Sequence, residues 1–294
     1  MSIFRSGYVS LIGRPNVGKS TLLNRIVGRK LAIVSPRPQT TRNRILGIKN
    51  LPCAQIIFVD TPGLHKPRHK LGEHMVKESS DTAREADLIL FMTDPEMPGL
   101  GDKNILNLIR TMKIPTFLIL NKADTVKKPH LLPLIEEYSR LFDFEETFPM
   151  SALKDESMDN LLEAAARRLP EGPKYYPDEV ITDMPERFIA AEIIREKIIF
   201  DTHEEVPYSI AVEILEWKER ENNKLYISAN IYVEREGQKS IIIGKQGGRL
   251  KEIGSRARHD LEEMLGSDVF LQLWVKLKKD WRSDSKILKE LGYS

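Results

Sequence analysis

Gly13-Arg14-Pro15-Asn16-Val17-Gly18-Lys19-Ser20 is the stretch on which the reading of this chain turns. Its spacing, G-x-x-x-x-G-K-S, is that of a phosphate-binding loop. Before it, Tyr8-Val9-Ser10-Leu11-Ile12 is short and apolar, as a buried strand is. After it, Leu22, Leu23, Ile26 and Val27 recur at helical spacing. Strand, loop and helix in that order are the setting such a loop needs. Gly13 and Gly18 let the backbone wrap until consecutive N–H groups converge on phosphate oxygens. The helix adds its positive end. Lys19 brings a point charge to the terminal phosphates, and the Ser20 hydroxyl suits Mg²⁺. Arg14, Pro15, Asn16, Val17 and Thr21 complete the expected nucleotide contacts on this loop.

Downstream, 35–42 (Ser-Pro-Arg-Pro-Gln-Thr-Thr-Arg) has the prolines and polar residues of a loop. A nucleotide switch needs such a segment, with a Thr hydroxyl for the metal; Thr40 and Thr41 both qualify, and Thr41 is favoured. Ile45 to Lys49 and Gln55 to Val59 read as strands, the second apolar throughout and so covered on both faces. It runs into Asp60-Thr61-Pro62-Gly63. In a doubly wound sheet this places Asp60 beside Ser20, so that Ser20, Thr41 and Asp60 form the expected Mg²⁺ set, Asp60 through water. Gly63 offers a pivot and a backbone N–H to a γ-phosphate. Two further strands, Asp87 to Asp94 and Thr116 to Leu120, follow, with a helical stretch, Asn104 to Met112, between them. The second strand ends in Asn121-Lys122-Ala123-Asp124. A carboxylate at Asp124 can accept from both N1–H and N2–H₂ of guanine, and adenine would leave it unpaired. Asn121 can tie neighbouring loops together and the Lys122 stem can lie over the base. Ser151-Ala152-Leu153 offers a small-residue loop to the guanine O6, and Ser157 is expected to cap a helix from Met158 to Leu169.

The chain has 294 residues, the length of about two domains. With 45 basic and 43 acidic residues its global balance excludes nothing. Its one cysteine, Cys53, rules out an internal disulfide framework and fits a reducing cytoplasm, where it reads as a small apolar filler. No apolar run is long enough to span a bilayer. The block Lys239 to Arg258 carries six basic residues against one acid, which is either a polyanion footprint or a solvated helix face.

Prolines at 170, 173, 177 and 185 mark a linker. Beyond it the chain reads as a helix, Phe188 to Phe200, then a strand at Ser209 to Leu215. Leu225 to Val233 is cleanly alternating, which predicts a half-exposed sheet. Next comes Ile243-Gly244-Lys245-Gln246-Gly247-Gly248-Arg249, a G-x-x-G loop between two helices, then a last strand, Val269 to Leu277. Such a loop lets a nucleic-acid backbone come close, while Lys245, Arg249 and Lys251 neutralise phosphates. Lys276, Lys278, Lys279 and Arg282 extend this basic surface; Trp281 reads equally as core or as a base platform.

The stations Gly13–Ser20, Thr40/Thr41, Asp60–Gly63, Asn121–Asp124 and Ser151–Leu153 resemble, in order and spacing, a translation-factor-class GTPase. Followed by one KH domain, they resemble the Era family. The resemblance implies an α/β fold: a doubly wound, mostly parallel sheet, then an α+β type II KH domain. The expected division is 1–172 GTP-binding, 173–186 linker, 187–280 KH and 281–294 a C-terminal tail. It implies a Mg²⁺-dependent GTP hydrolase binding GTP and GDP, with Lys19, Thr41, Gly63 and Asn16 in catalysis. Leu64 stands where many small GTPases carry the water-orienting Gln, so hydrolysis is expected to be slow. Asn16 matches a subset that holds K⁺ against the phosphates. The implied partner is the 3′ end region of 16S rRNA in the 30S ribosomal subunit precursor. A monomer, cytoplasmic, with a peripheral membrane pool, is also implied. The rival reading is a regulatory GTPase whose second domain docks a protein or membrane partner.

Overall fold

The computed structural model describes residues 4–64, 67, 69–154, 157–220 and 224–293. His65, Lys66 and Arg68, part of the polar segment after Gly63, lie outside the described residues. The chain divides into two compact units that meet in sequence at Asp183 and Met184.

The N-terminal unit is built on six strands: β1 (Arg5–Gly13), β2 (Ile45–Leu51), β3 (Ala54–Asp60), β4 (Leu88–Thr93), β5 (Thr116–Leu120) and β6 (Glu146–Pro149). Their order is β2-β3-β1-β4-β5-β6, parallel except for β2. The helices are α1 (Lys19–Val27), α2 (Lys70–Arg84), α3 (Leu100–Met112), α4 (Leu131–Leu141) and α5 (Met158–Arg168). Every residue of β3, β4 and β5 is buried, as continuous apolar runs in a covered parallel sheet must be. One core cluster joins Ile12, Phe91, Leu118 and Leu120 of the sheet to Ile105 and Ile109 of α3 and Tyr138 of α4. Each such side chain, fully buried, contributes about 1.5–3 kcal/mol. This packing fixes the carboxyl ends of β1, β3, β4 and β5 at one rim, where the motif residues sit.

The edge strand β2 is not left open. Residues 176–182, part of the proline-marked stretch that reads as a linker, lie along it: Ile48 N donates to Ile181 O at 2.8 Å, and Thr182 Oγ1 to Leu46 O at 2.6 Å. The Gln55 amide, fully buried, reaches both Tyr176 and Asn50. Covering an edge removes a row of unpaired backbone groups.

The C-terminal unit runs α6 (Glu186–Asp201), β7 (Ala211–Arg220), β8 (Lys224–Val233), α7 (Glu236–Ile243), α8 (Gly248–Leu265), β9 (Val269–Leu277) and α9 (Ser285–Glu290). Its sheet has the order β7-β8-β9, with β7/β8 antiparallel and β8/β9 parallel, joined across by α7 and α8. Leu225, Ile227, Ala229, Ile231 and Val233 form the buried face.

Three readings of the sequence need correction. Cys53 is exposed in the tight β2–β3 turn, not a core filler. Ser157 precedes α5 with φ 65° and makes no side-chain capping bond, because a left-handed residue points its hydroxyl away from the first turn. Trp281 is fully buried, donates from Nε1 to Ser209 O at 3.0 Å and stacks on Tyr293, so it is core and offers no platform to a base.

Candidate nucleotide and nucleic-acid sites

The loop after β1 turns into α1 at Gly18, whose φ is 99°. A Cβ there would sit 2.2 Å from the Asn121 side chain, so both backbone and space demand glycine. Lys19 is buried, and its ammonium donates to Gly13 O at 3.2 Å and Arg14 O at 3.0 Å. Burial lowers its pKa to about 8, and the nearby Asp60 pulls it back up. A buried ammonium held only by carbonyls is a site for a strong anion.

Beside it, Ser20 Oγ donates to Asp60 Oδ2 at 2.6 Å and lies 2.9 Å from Thr41 Oγ1, which is 3.4 Å from the same carboxylate oxygen. Asp60 is fully buried, and its other oxygen, Oδ1, has no hydrogen-bond partner. Burial raises its pKa; Lys19, Ser20 and Thr41 oppose that. Two hydroxyls and a carboxylate with a spare buried oxygen are hard oxygen donors, which suit Mg²⁺. A cleft of about 400 Å³ opens here, lined among others by Asn16, Lys19, Ser20, Thr40, Thr41, Gly63, Lys122 and Leu153.

Gly63 packs on the loop: a Cβ would meet Pro15 Cα and N at 2.8 Å. Thr61 and Pro62 turn inward. The Thr61 hydroxyl donates to Leu11 O at 2.8 Å, and Pro62 O accepts from Ser79 of α2 at 2.7 Å. Leu64 packs against the core cluster, and its N–H reaches Gly13 O at 3.4 Å.

Asn121 is buried and bridges three loops. Its Nδ2 donates to Val17 O at 2.8 Å and its Oδ1 accepts from Ala152 N at 2.9 Å. Ala123 N donates to Met150 O, and Lys122 Nζ reaches Asn16 O and Asp94. The Asp124 carboxylate lies 3.2 Å from Lys154 Nζ. Hydrogen bonds from Ser151 and Lys154 hold its pKa below the ordinary value. Asn16 is exposed and donates from Nδ2 to Pro36 O at 2.6 Å, linking the phosphate loop to 35–42.

Sequence reading missed Asp102. It is fully buried at the start of α3 and accepts from Arg14 Nε at 2.9 Å and from Gly99 N at 3.0 Å. Arg14 therefore points away from the cleft, and its carbonyl is one of the two that hold Lys19. Lys154 was missed as well; it follows the Ser151–Leu153 loop directly, a proximity that could have flagged it.

In the C-terminal unit the loop between α7 and α8 has φ 72° at Gly244, 50° at Gln246 and 76° at Gly247. A Cβ on Gly244 would meet Arg249 Cβ at 2.7 Å, whereas Gly247 faces open space. Lys245 and Lys251 are exposed with no carboxylate partner among the described residues, at the N-terminal end of α8, where free N–H groups favour anions. Arg249 Nη1 donates to Ile241 O at 2.7 Å. Ile243 and Gly248 flank the turn. Some of the basic block is already paired: Arg256 with Asp201, and Arg258 with Glu262 at 3.6 Å. Farther on, Lys278 pairs with Glu290 and Arg282 with Glu234.

A phosphate loop, a metal-suited oxygen cluster and a guanine-suited carboxylate on a parallel sheet define a GTPase, here followed by a KH unit. Residues 8–122 match the family described as 50S ribosome-binding GTPase, and residues 205–282 match the KH domain. The chain is similar to an Aquifex aeolicus Era variant solved with GDP and AlF4⁻, with 46% identity over 99% of this chain and 100% of that one, TM-score 0.96. It is equally similar to Era solved with MgGDPNP and nucleotides 1506–1542 of 16S ribosomal RNA, with 46% identity over 99% of both chains, TM-score 0.96. The chain belongs to the Era family of GTPases.

Proposed function

We propose that this chain is a GTP-hydrolysing switch that binds the 3′ end region of 16S rRNA during assembly of the small ribosomal subunit. The observation that carries the catalytic half is the cluster Ser20–Thr41–Asp60 beside buried Lys19. Lys19 takes the terminal phosphates. Ser20 and Thr41 offer hydroxyls to Mg²⁺, and Asp60 holds it through water. The metal, when bound, neutralises charge building on the phosphates. Asp124, backed by Ser151, selects guanine, and Gly63 presents its N–H to the γ-phosphate. Leu64 cannot orient water, so basal turnover is slow. Asn16 holds K⁺ in that account; equal hydrolysis rates in Na⁺ and K⁺ would remove it.

The RNA half rests on the loop Gly244–Gly247 with Lys245, Arg249 and Lys251, and on the relative solved with an rRNA segment. GTP with Mg²⁺ holds 35–42, and the nucleotide state then sets RNA affinity. The chain works as a cytoplasmic monomer. No helix among the described residues is long and apolar enough to cross a membrane. The test is RNA affinity of the Gly244→Asp/Gly247→Asp variant at several salt concentrations. A large loss with a shallower salt slope is expected; unchanged binding would favour a protein-docking role instead.

A further inference from the structure

The open face of the β7–β8–β9 sheet is unlike the solvated face of an ordinary half-buried sheet. Register places Tyr226 opposite Phe270, Asn230 opposite Trp274 and Tyr232 opposite Lys276, all on the side away from Leu225, Ile227, Ala229, Ile231 and Val233; on this side Ser228 and Asn230 are covered by their neighbours, and the rings of β9 stand out. Phe270 is 54% exposed and Trp274 52%. Large rings left half in water on a strand whose alternate residues face the core indicate a binding surface.

The rings are already organised for stacking. Tyr226 and Phe270 lie 5.9 Å apart with planes 20° from parallel. The Arg220 guanidinium sits 4.2 Å from the Tyr226 centroid and 5.4 Å from that of Phe270. Trp274 stands four residues along β9, about 13 Å away at strand spacing, far enough for a separate stacking position. Between the rings the face is polar: Tyr226 donates its hydroxyl to Gln272 at 2.7 Å.

Charge decides between classes of partner. By register this face carries Glu213 and Glu216 against Lys218, Arg220 and Lys276. Glu216 pairs with Lys218, while Glu213 accepts the neutral Tyr232 hydroxyl at 2.6 Å and keeps its charge. Arg220 and Lys276 have no carboxylate partner among the described residues, so the cations outnumber the acids by one and the rings sit beside positive charge. Flat exposed rings with interleaved cations suit unpaired bases and their phosphates.

We propose that this sheet face is a second RNA-contacting surface, a stacking platform for unpaired bases separate from the loop at 244–247. It rests on the RNA-binding reading above. A G-x-x-G loop grips about four nucleotides, so a longer transcript needs a further surface.

The test uses the full chain and an unstructured RNA of about twenty nucleotides, long enough to exceed the loop's grip. Phe270→Ala/Trp274→Ala removes only exposed rings and should unfold at the parent's temperature. It is expected to weaken RNA binding roughly tenfold or more, as loss of stacked bases does. In a Trp217→Phe chain, emission comes from exposed Trp274 and buried Trp281, and saturating RNA is expected to quench the exposed component. Parent-like RNA affinity in the ring variant, with no quench, overturns the proposal, leaves the loop reading standing and assigns the face to a protein partner. Failure of the parent itself to bind the RNA overturns the RNA reading and this proposal together.

Discussion

Lys19 shows how one buried charge ties ligand to pH. Its pKa in the folded, nucleotide-free chain is lowered to about 8 from an ordinary 10.5. Below pH 8 it is charged in folded and unfolded chains alike, and its burial costs stability. Between about 8 and 10.5 the unfolded chain binds more protons, so stability of the free protein rises with pH through this window. Nucleotide affinity moves the other way. A phosphate favours the charged form, so binding at pH 9 should take up a proton, read by calorimetry in buffers of different ionisation enthalpy, and affinity should fall as pH rises past 8. The Arg14–Asp102 pair carries a second prediction. Asp102 is fully buried while Arg14 keeps 32% of its side chain exposed, so it is loss of the arginine that strands a buried charge: Arg14→Ala should cost about 3–5 kcal/mol in unfolding and weaken GDP binding through the displaced loop. An Arg14→Ala/Asp102→Ala double variant should recover part of the stability, because no lone buried charge remains. Nothing in local sequence reveals this pair, since Asp102 lies 88 residues from its partner.

Whole elements differed in how plainly they could be read. The strands β3, β4 and β5 and the two loops that follow them were legible because apolar runs and motif spacing are local. The helix α2 was not. Its buried stripe is Leu71, Met75, Ser79, Thr82 and Ala83, so polar residues interrupt the apolar period. Ser79 enters the core because its hydroxyl is satisfied by Pro62 O and Met75 O. That bond also anchors the segment carrying Gly63. Gly63→Ala would push a methyl into Pro15 backbone at 2.8 Å, and one of the two must move. Hydrolysis should fall about 10- to 100-fold with GDP affinity nearly unchanged, because the displaced N–H is the one proposed to meet the γ-phosphate, which GDP lacks. Single-turnover rates beside GDP titrations check this.

The whole molecule joins a nucleotide unit to a nucleic-acid unit, and its account requires that the two ligands be coupled. Coupling free energy is reciprocal: if GTP with Mg²⁺ changes RNA affinity by some factor, RNA changes GTP affinity by the same factor. Slow hydrolysis, expected from Leu64, would give the RNA-bound state a long lifetime before reset. The most direct test is fluorescence anisotropy of a labelled RNA from the 16S 3′ end, titrated with the full chain under three conditions: a non-hydrolysable GTP analogue with Mg²⁺, GDP with Mg²⁺, and no nucleotide. The account predicts affinities that differ by about fivefold or more between the analogue and GDP, in the range usual for coupled sites. Identical affinities in all three conditions would contradict it.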